Sequence, residues 1–434
     1  MSSIDDLLEN IPIPRMARVA QSFARPRIES VEKSLREGFL TLGALTRLKP
    51  GASVAVAVGS RGISELPELV RQTVAILRSA GMKPFIVPAM GSHGGATGEG
   101  QRDLLGHLGV TEESTGAPIR SSMDVRRIST SPLHNLPVYV DENALSADGI
   151  VIINRIKAHP AFRGTYESGL VKMAAIGLGK QRQAELVHNL GAERMGDYIE
   201  DIGLEVLRRI PLIAAVAVVE NAFHEISRIE VLASGEVGAR EPELLQEARN
   251  LSARFLLDKF EVLIIDEIGK EISGAGFDTT IVGRYSSPYI KGGPDIRRVA
   301  ILDITDKSNG YGGGLGMADF TTRRAADKFD PEQTYPNTLT STFTEGIKIP
   351  MTLRNEKQAI QSCIKTCNTR EYGDARMIRI RNTLCMEEIM VSENMLDEVR
   401  ARPDMKILGE AFALGFDEAG NLADRAASRK GDSI

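Results

Sequence analysis

The stretch Ser53-Val-Ala-Val-Ala-Val-Gly59 has no polar face. A short run of valine and alanine bounded by a glycine reads as a strand buried on both sides, as in a parallel sheet. Residues 65–77 follow it with Leu66, Leu69, Val70, Val74 and Leu77 at helical spacing. Together they make one β-loop-α unit, and repetition of such units builds a parallel sheet. Working outward, residues 83–87 and 149–154 read as further strands, with helices over 101–108 and 170–176 after them. Residues 193–209 read as a long surface helix and 213–219 as another buried strand. A helical stretch over 242–259 precedes a second start at 260–267, with a further strand at 298–303. The expected fold is α/β, with two α/β domains, mostly parallel sheets and the active site in the cleft between them. The N-terminal domain would span 1–257, and a C-terminal domain, 258–434, would close over the cleft.

Composition narrows the function. The chain has 434 residues, too many for one ordinary core. A net charge of −5 argues against a dedicated nucleic-acid surface, which needs a basic patch to neutralise phosphates. Cys363, Cys367 and Cys385 are too few and too late for a disulfide framework, so a reducing, cytoplasmic setting is expected. Cys363 and Cys367 have the spacing of half a metal site, but nothing nearby completes it, and they read as packing thiols. No apolar run is long enough to span a bilayer, and the N-terminus lacks the pattern of a signal peptide. Aromatic content of 5% with no tryptophan favours a small polar ligand over a large stacked one.

Three loops stand where a parallel sheet collects ligands, beyond the carboxyl ends of strands. Gly59-Ser-Arg-Gly-Ile63 carries Arg61, which reads either as a solvated turn residue or as a partner for a carboxylate or phosphate. Pro88-Ala-Met-Gly-Ser-His-Gly-Gly-Ala-Thr-Gly-Glu-Gly-Gln101 sets His93 among five glycines, where backbone can approach a ligand and an imidazole can shuttle protons. The third loop follows Asn154 and carries Lys157, His159, Arg163 and Tyr166 before Lys172. Lys172 sits in an apolar helical stretch, where burial would make the amine nucleophilic; a lysine snorkelling from a helix end is the plainer reading. His188 lies sixteen positions after it (188 − 172), either as a core histidine or as a ligand. His107, His134 and His224 read as structural. The loop Asn309-Gly-Tyr-Gly-Gly-Gly-Leu-Gly316 lacks the spacing of a dinucleotide fingerprint, and reads equally as a flexible connection or a phosphate contact.

Taken together, Gly91-Ser-His93, then His159 with Gly164, Gly169 and Lys172, then His188, resemble the nickel-dependent lactate racemase family, which racemises or epimerises 2-hydroxy acids. The likeness is clearest over residues 50–190. It implies a nickel pincer nucleotide, pyridinium-3,5-bisthiocarboxylic acid mononucleotide, attached to Lys172 through a thioamide, with His188 as the protein ligand to Ni(II). It also implies His93 and His159 as the two acid/bases, and Arg61 as the partner of the substrate carboxylate. Lys270 or Arg284 would supply a second substrate-binding cation. Proteins of cofactor biosynthesis would be partners, with no role for nucleic acid or membrane. The chain departs from the family at Val58, where an Asp is expected, in the thirteen-residue spacing from His159 to Lys172 (172 − 159), and in the loose match of residues 268–278. These departures leave the substrate acid open. The competing reading is a cofactor-free, two-domain relative that binds small carboxylates or phosphates. A third, serine hydrolysis using Ser92 or Ser168, lacks the Gly-x-Ser-x-Gly elbow.

Overall fold

The structure is a computed structural model, and it describes residues 3–46, 48–60 and 62–424. The chain forms two α/β units with mainly parallel sheets. One comprises residues 24–252, the other residues 1–23 together with 253–434. Among the described residues no helix is long and apolar enough to cross a membrane.

The 24–252 unit is built on a five-stranded sheet in the order Lys83–Pro88, Ser53–Val58, Gly149–Arg155, Leu212–Glu220, Ile226–Leu232. The first four strands are parallel and the last is antiparallel. Val54 to Val58 are wholly buried, as the unbroken apolar pattern requires of a strand covered on both faces. From Ser53–Val58 the chain first steps outward to Lys83–Pro88, then returns to lay Gly149–Arg155 on the other side. That reversal is a topological switch point, and it opens a crevice between the loops leaving Val58 and Arg155. A separate hairpin pairs Val125–Thr130 with Pro137–Asp141.

The second unit holds an eight-stranded mixed sheet. Its strands run Met351–Leu353, Phe320–Thr322, Asp295–Ile301, Lys259–Ile265, Met377–Ile380, Glu388–Ser392, Met16–Gln21, Met405–Ile407. The first five are parallel and the remaining pairings antiparallel.

Several sequence expectations change here. Residues 1–23 do not join the N-terminal domain, because Met16–Gln21 is filled in between two C-terminal strands, with Ala17 and Val19 buried in their core. The helix expected over 242–259 spans Ser234–Leu251, and Pro242 lies inside it rather than at its start. Met195–Arg209 is no surface helix: Met195, Ile199, Ile202, Val206 and Leu207 are buried on one face and even Asp201 and Glu205 are covered. The loop over 309–316 is neither flexible connection nor open cradle. Gly312 N–H donates to Thr334 Oγ1 at 3.0 Å, Gly314 N–H to the Gly346 carbonyl at 2.8 Å, and Tyr311 Oη to the Gly274 carbonyl at 2.9 Å. Cys363 and Cys367 are buried packing thiols, as expected.

Removing residues 1–23 should therefore strip the strand next to one edge of the second sheet and leave Val391 and Met405 without their pairing partners. A chain beginning at residue 24 is expected to show early melting of the 253–434 unit in a thermal scan, with the other unit melting as before. Unchanged melting of both would refute the assignment of Met16–Gln21 to that core.

Candidate active site

The site gathers at the carboxyl edge of the 24–252 sheet, around the segment from Gly169 to Lys180. That segment enters as a short helix, Leu170–Lys172, and widens into a π-helical turn at Met173–Gly177. Such turns are uncommon and recur at functional positions. The strand ends press closely on it. A Cβ at Gly59 would lie 3.0 Å from Met173 Cε, and one at Gly177 would lie 2.7 Å from the Ala89 carbonyl oxygen. Gly91 N–H donates to the Gly177 carbonyl at 3.2 Å, and Asn154 Nδ2 to the Gly169 carbonyl at 2.6 Å. Loops from three adjacent strands thus meet one helical segment.

The loop bearing His159 is closed at its base by a two-residue antiparallel bridge, Lys157 N–H to Ser168 O at 2.9 Å and Ser168 N–H to Lys157 O at 3.1 Å. Within it His159 is held on every side. Its backbone N–H donates to Glu167 Oε2 at 2.6 Å, and Arg163 donates to its carbonyl at 2.6 Å. The ring stacks on Phe162 with centroids 4.1 Å apart. Ala161 N–H donates to Nδ1 at 3.1 Å, and Nε2 lies 2.7 Å from Lys172 Nζ. The fully buried Glu167 is secured from the helix Ser234–Leu251 by Arg249, at 2.7 Å.

His93 is placed by a different network. Its Nδ1 is hydrogen-bonded to Ser60 Oγ, so the loops after the first two strands are joined through the imidazole. Its carbonyl and that of Gly91 accept from Gln101 Nε2, at 3.2 and 2.9 Å. Gln101 Oε1 accepts in turn from Lys180 Nζ at 2.9 Å, and the same ammonium donates to the Pro88 carbonyl. Asp141 Oδ2 stands 3.1 Å from Lys180 Nζ, with both side chains wholly buried. Burial pushes the lysine down and the aspartate up, and their mutual attraction opposes both shifts. Lys180 also adopts φ +52, a left-handed backbone that an L-residue other than Asn or Asp seldom takes, set by the exit from the π-helical turn.

His188 stands on the helix Lys180–Asn189, which begins where the π-helical turn ends. Its Nδ1 is buried and, among the described residues, has no hydrogen-bond partner. Burial lowers its pKa to about 4, and the positive charge of a protonated Lys172 contributes the smaller part. The imidazole is therefore neutral at physiological pH, the form that ligates a metal.

Sequence reading picked out His93, His159, Lys172 and His188, and this unit contains all four around the Gly169–Lys180 segment. Arg61 lies outside the described residues. Its loop is anchored further on by Ser64 N–H, which donates to Glu220 Oε1 at 2.7 Å. Lys270 and Arg284 belong to the other unit. Lys270 Nζ sits 4.8 Å above the Tyr311 ring, and Arg284 lies 3.3 Å from Asp319 and lines a cavity of about 420 Å³ with Tyr285, Met317 and Glu345. His134 is structural, as expected, 3.1 Å from Asp201 and edge-on to Tyr198. Ser60, rather than Ser92, is the serine on His93. Sequence reading missed Gln101, Asp141, Glu167, Lys180, Glu241 and Arg249, because polar residues with no motif read as surface.

Glu241 holds the entrance to the Lys172 helix. Its Oε2 accepts from Val171 N–H at 3.0 Å, and a Cβ at Gly169 would fall 2.1 Å from its Oε1. Glycine is required there by this close approach. Burial raises the Glu241 pKa to about 7, against the two backbone N–H groups that favour its charge.

No family model matches the chain, and no curated protein matches it. Among solved structures it is similar to the lactate racemase apoprotein from Thermoanaerobacterium thermosaccharolyticum, at 13% identity and a TM-score of 0.46, over 89% of this chain and 92% of that one.

Because Glu241 keeps its proton longer in the folded chain than in the unfolded one, its contribution to stability is complete below the ordinary carboxyl pKa of 4.5 and is lost as pH rises through about 7. Glu241→Gln removes that dependence. The stability of the variant relative to the parent should rise between those two pH values by on the order of 3 kcal/mol and then level off. Denaturant unfolding at a series of pH values measures it, and a difference that does not change with pH would contradict the assignment.

Proposed function

We propose that the chain is a racemase or epimerase of a small 2-hydroxy acid that works with a nickel pincer nucleotide. One observation carries this reading: Lys172 Nζ lies against His159 Nε2, while a neutral His188, whose buried Nδ1 has no partner among the described residues, stands on the next helix. Among the described residues no group of three or more His, Cys, Asp or Glu could by itself hold a metal ion. A nickel held by His188 would thus take its remaining donors from the bound group. The residues fit such a group: an amine to anchor it and one neutral imidazole to complete the metal.

When bound, the nickel pincer nucleotide supplies reversible acceptance of a hydride. The chain supplies the rest. Lys172 would anchor the group through Nζ and His188 would donate a ring nitrogen to nickel. Inversion needs a proton acceptor and donor on each face of the substrate carbon, and His159 and His93 are the two imidazoles for the hydroxyl proton. With Nδ1 of each ring engaged, by Ala161 and Ser60 respectively, Nε2 is the atom through which each would act. Arg61 is proposed to pair with the substrate carboxylate, and Lys270 or Arg284 to supply a second cation. A cytoplasmic setting and dependence on cofactor-biosynthesis proteins belong to the same proposal.

After co-expression with cofactor-biosynthesis proteins, the Lys172 peptide should carry the added mass of the nucleotide, and the purified protein should contain nickel. An unmodified, nickel-free product would favour the cofactor-free binder instead. His188→Ala should lose nickel yet keep the Lys172 adduct. His93→Ala and His159→Ala should each lower inversion of the substrate acid by about a hundredfold or more while nickel stays bound. Turnover retained in either would remove the two-base assignment.

A further inference from the structure

His93 lies in a loop whose backbone has little stiffness of its own. Gly91, two residues before it, and Gly94, just after it, take φ +59 and +67, a conformation open to glycine at no steric cost. The loop is held instead by Gln101, on the helix Gly98–His107. The Gln101 side chain is wholly buried, and Nε2 directs its two N–H groups to the carbonyls of Gly91 and His93, at 2.9 and 3.2 Å.

That hold works with the amide only one way round. Turned over, Gln101 would set Oε1 against two carbonyl oxygens, and its NH2 group against the Lys180 ammonium. Lys180 opposes that turn: Nζ donates to Oε1 at 2.9 Å and to the Pro88 carbonyl, and stands 3.1 Å from Asp141 Oδ2. Three acceptors therefore face a group that, as an ammonium, carries three N–H donors. Asp141 is fixed in its turn, since Oδ1 accepts from Ala144 N–H and its own N–H donates to the Leu178 carbonyl, both at 2.8 Å. The φ of +52 at Lys180 would suit glycine better, so the lysine is explained by what its side chain reaches.

We infer that Lys180 is a positioning residue for His93: its ammonium orients the Gln101 amide, and the amide holds the two carbonyls that set the His93 loop. The inference rests on the proposed function only in giving His93 a proton to move; the relay itself is a property of the chain alone. In this relay the buried charge serves position rather than stability. Removing both charges together should leave the fold standing, because neutral replacements of a buried ion pair are often tolerated, whereas removing one strands the other. What should be lost is the direction of the Gln101 amide, and with it the placement of the histidine.

Two variants of the full chain test this. Lys180→Met/Asp141→Asn removes both charges and keeps an oxygen for Ala144 N–H, while Gln101→Leu removes the relay and leaves the ion pair. Each should melt within about 4 °C of the parent. The N–H groups of His93 and Ala96, bonded to the carbonyls of Met90 and His93 at 3.2 and 3.4 Å, report on the loop. Without cofactor, their hydrogen exchange should quicken by about tenfold or more in both variants, with the strand Gly149–Arg155 exchanging as in the parent. After loading with the nickel pincer nucleotide, kcat should fall by about tenfold or more, with KM within about twofold and nickel content unchanged. Loop exchange unmoved in either folded variant would overturn the inference. So would a double variant that cannot fold, or one whose protection falls evenly across residues 24–252, since the pair would then serve stability. Parental kcat in a loosened variant, where His93→Ala abolishes inversion, would overturn it as well. Quickened loop exchange without nickel loading of the parent would reject the racemase reading and leave the relay in place.

Discussion

The site depends on one helix that contributes no catalytic group, Ser234–Leu251. Pro242 has no N–H, so the carbonyl four residues earlier, at Gly238, lacks its helical partner. That carbonyl accepts instead from Tyr166 Oη at 2.6 Å, which ties down the His159 loop. One residue before the proline, Glu241 receives the first N–H groups of the Lys172 helix, and two turns later Arg249 secures Glu167. Three consecutive parts of the His159–Lys172 segment are thus fastened to one rigid element. An interior proline usually weakens a helix; here the acceptor it releases is what holds the loop.

A second constraint acts from the opposite side. The π-helical turn at Met173–Gly177 lies so near the strand ends that Gly59, Gly91 and Gly177 have little or no room for a side chain. The turn delivers Lys180 inward with a left-handed backbone, and its ammonium is shared among Pro88, Gln101 and Asp141. Burying an ammonium and a carboxylate together yields little net stability, because desolvation offsets their attraction. What the pair supplies is position: through Gln101 it holds the carbonyls of Gly91 and His93. The histidine in the glycine-rich loop is therefore supported from behind by backbone contacts, which its neighbours in sequence could not provide.

Much of the fold was legible because it rests on apolar periodicity. Ser53–Val58, Gly149–Arg155 and Leu212–Glu220 were recognisable as strands buried on both faces, and the four residues His93, His159, Lys172 and His188 as histidines or a lysine in unusual settings. The supporting residues were not legible, since nothing local distinguishes Glu167, Lys180 or Arg249 from a solvated charge. Their burial is decided by contacts across long separations, such as the one between Arg249 and Glu167. Pro242 misled the helix boundary for a related reason: proline is most at home in a first turn, and only the tertiary bond from Tyr166 reveals why it is tolerated inside. Met16–Gln21 escaped assignment because its strand partners lie near the other end of the chain.

The two histidine settings differ in what faces Nδ1 of each ring. His159 has a backbone N–H on Nδ1, which only donates, so Nδ1 meets it with a lone pair. His93 has a serine hydroxyl on Nδ1, and a hydroxyl can rotate to donate or to accept. Its tautomer can change by turning one O–H bond, without moving the ring. The asymmetry follows from a backbone amide on one side and a hydroxyl on the other, with no difference in the histidines themselves.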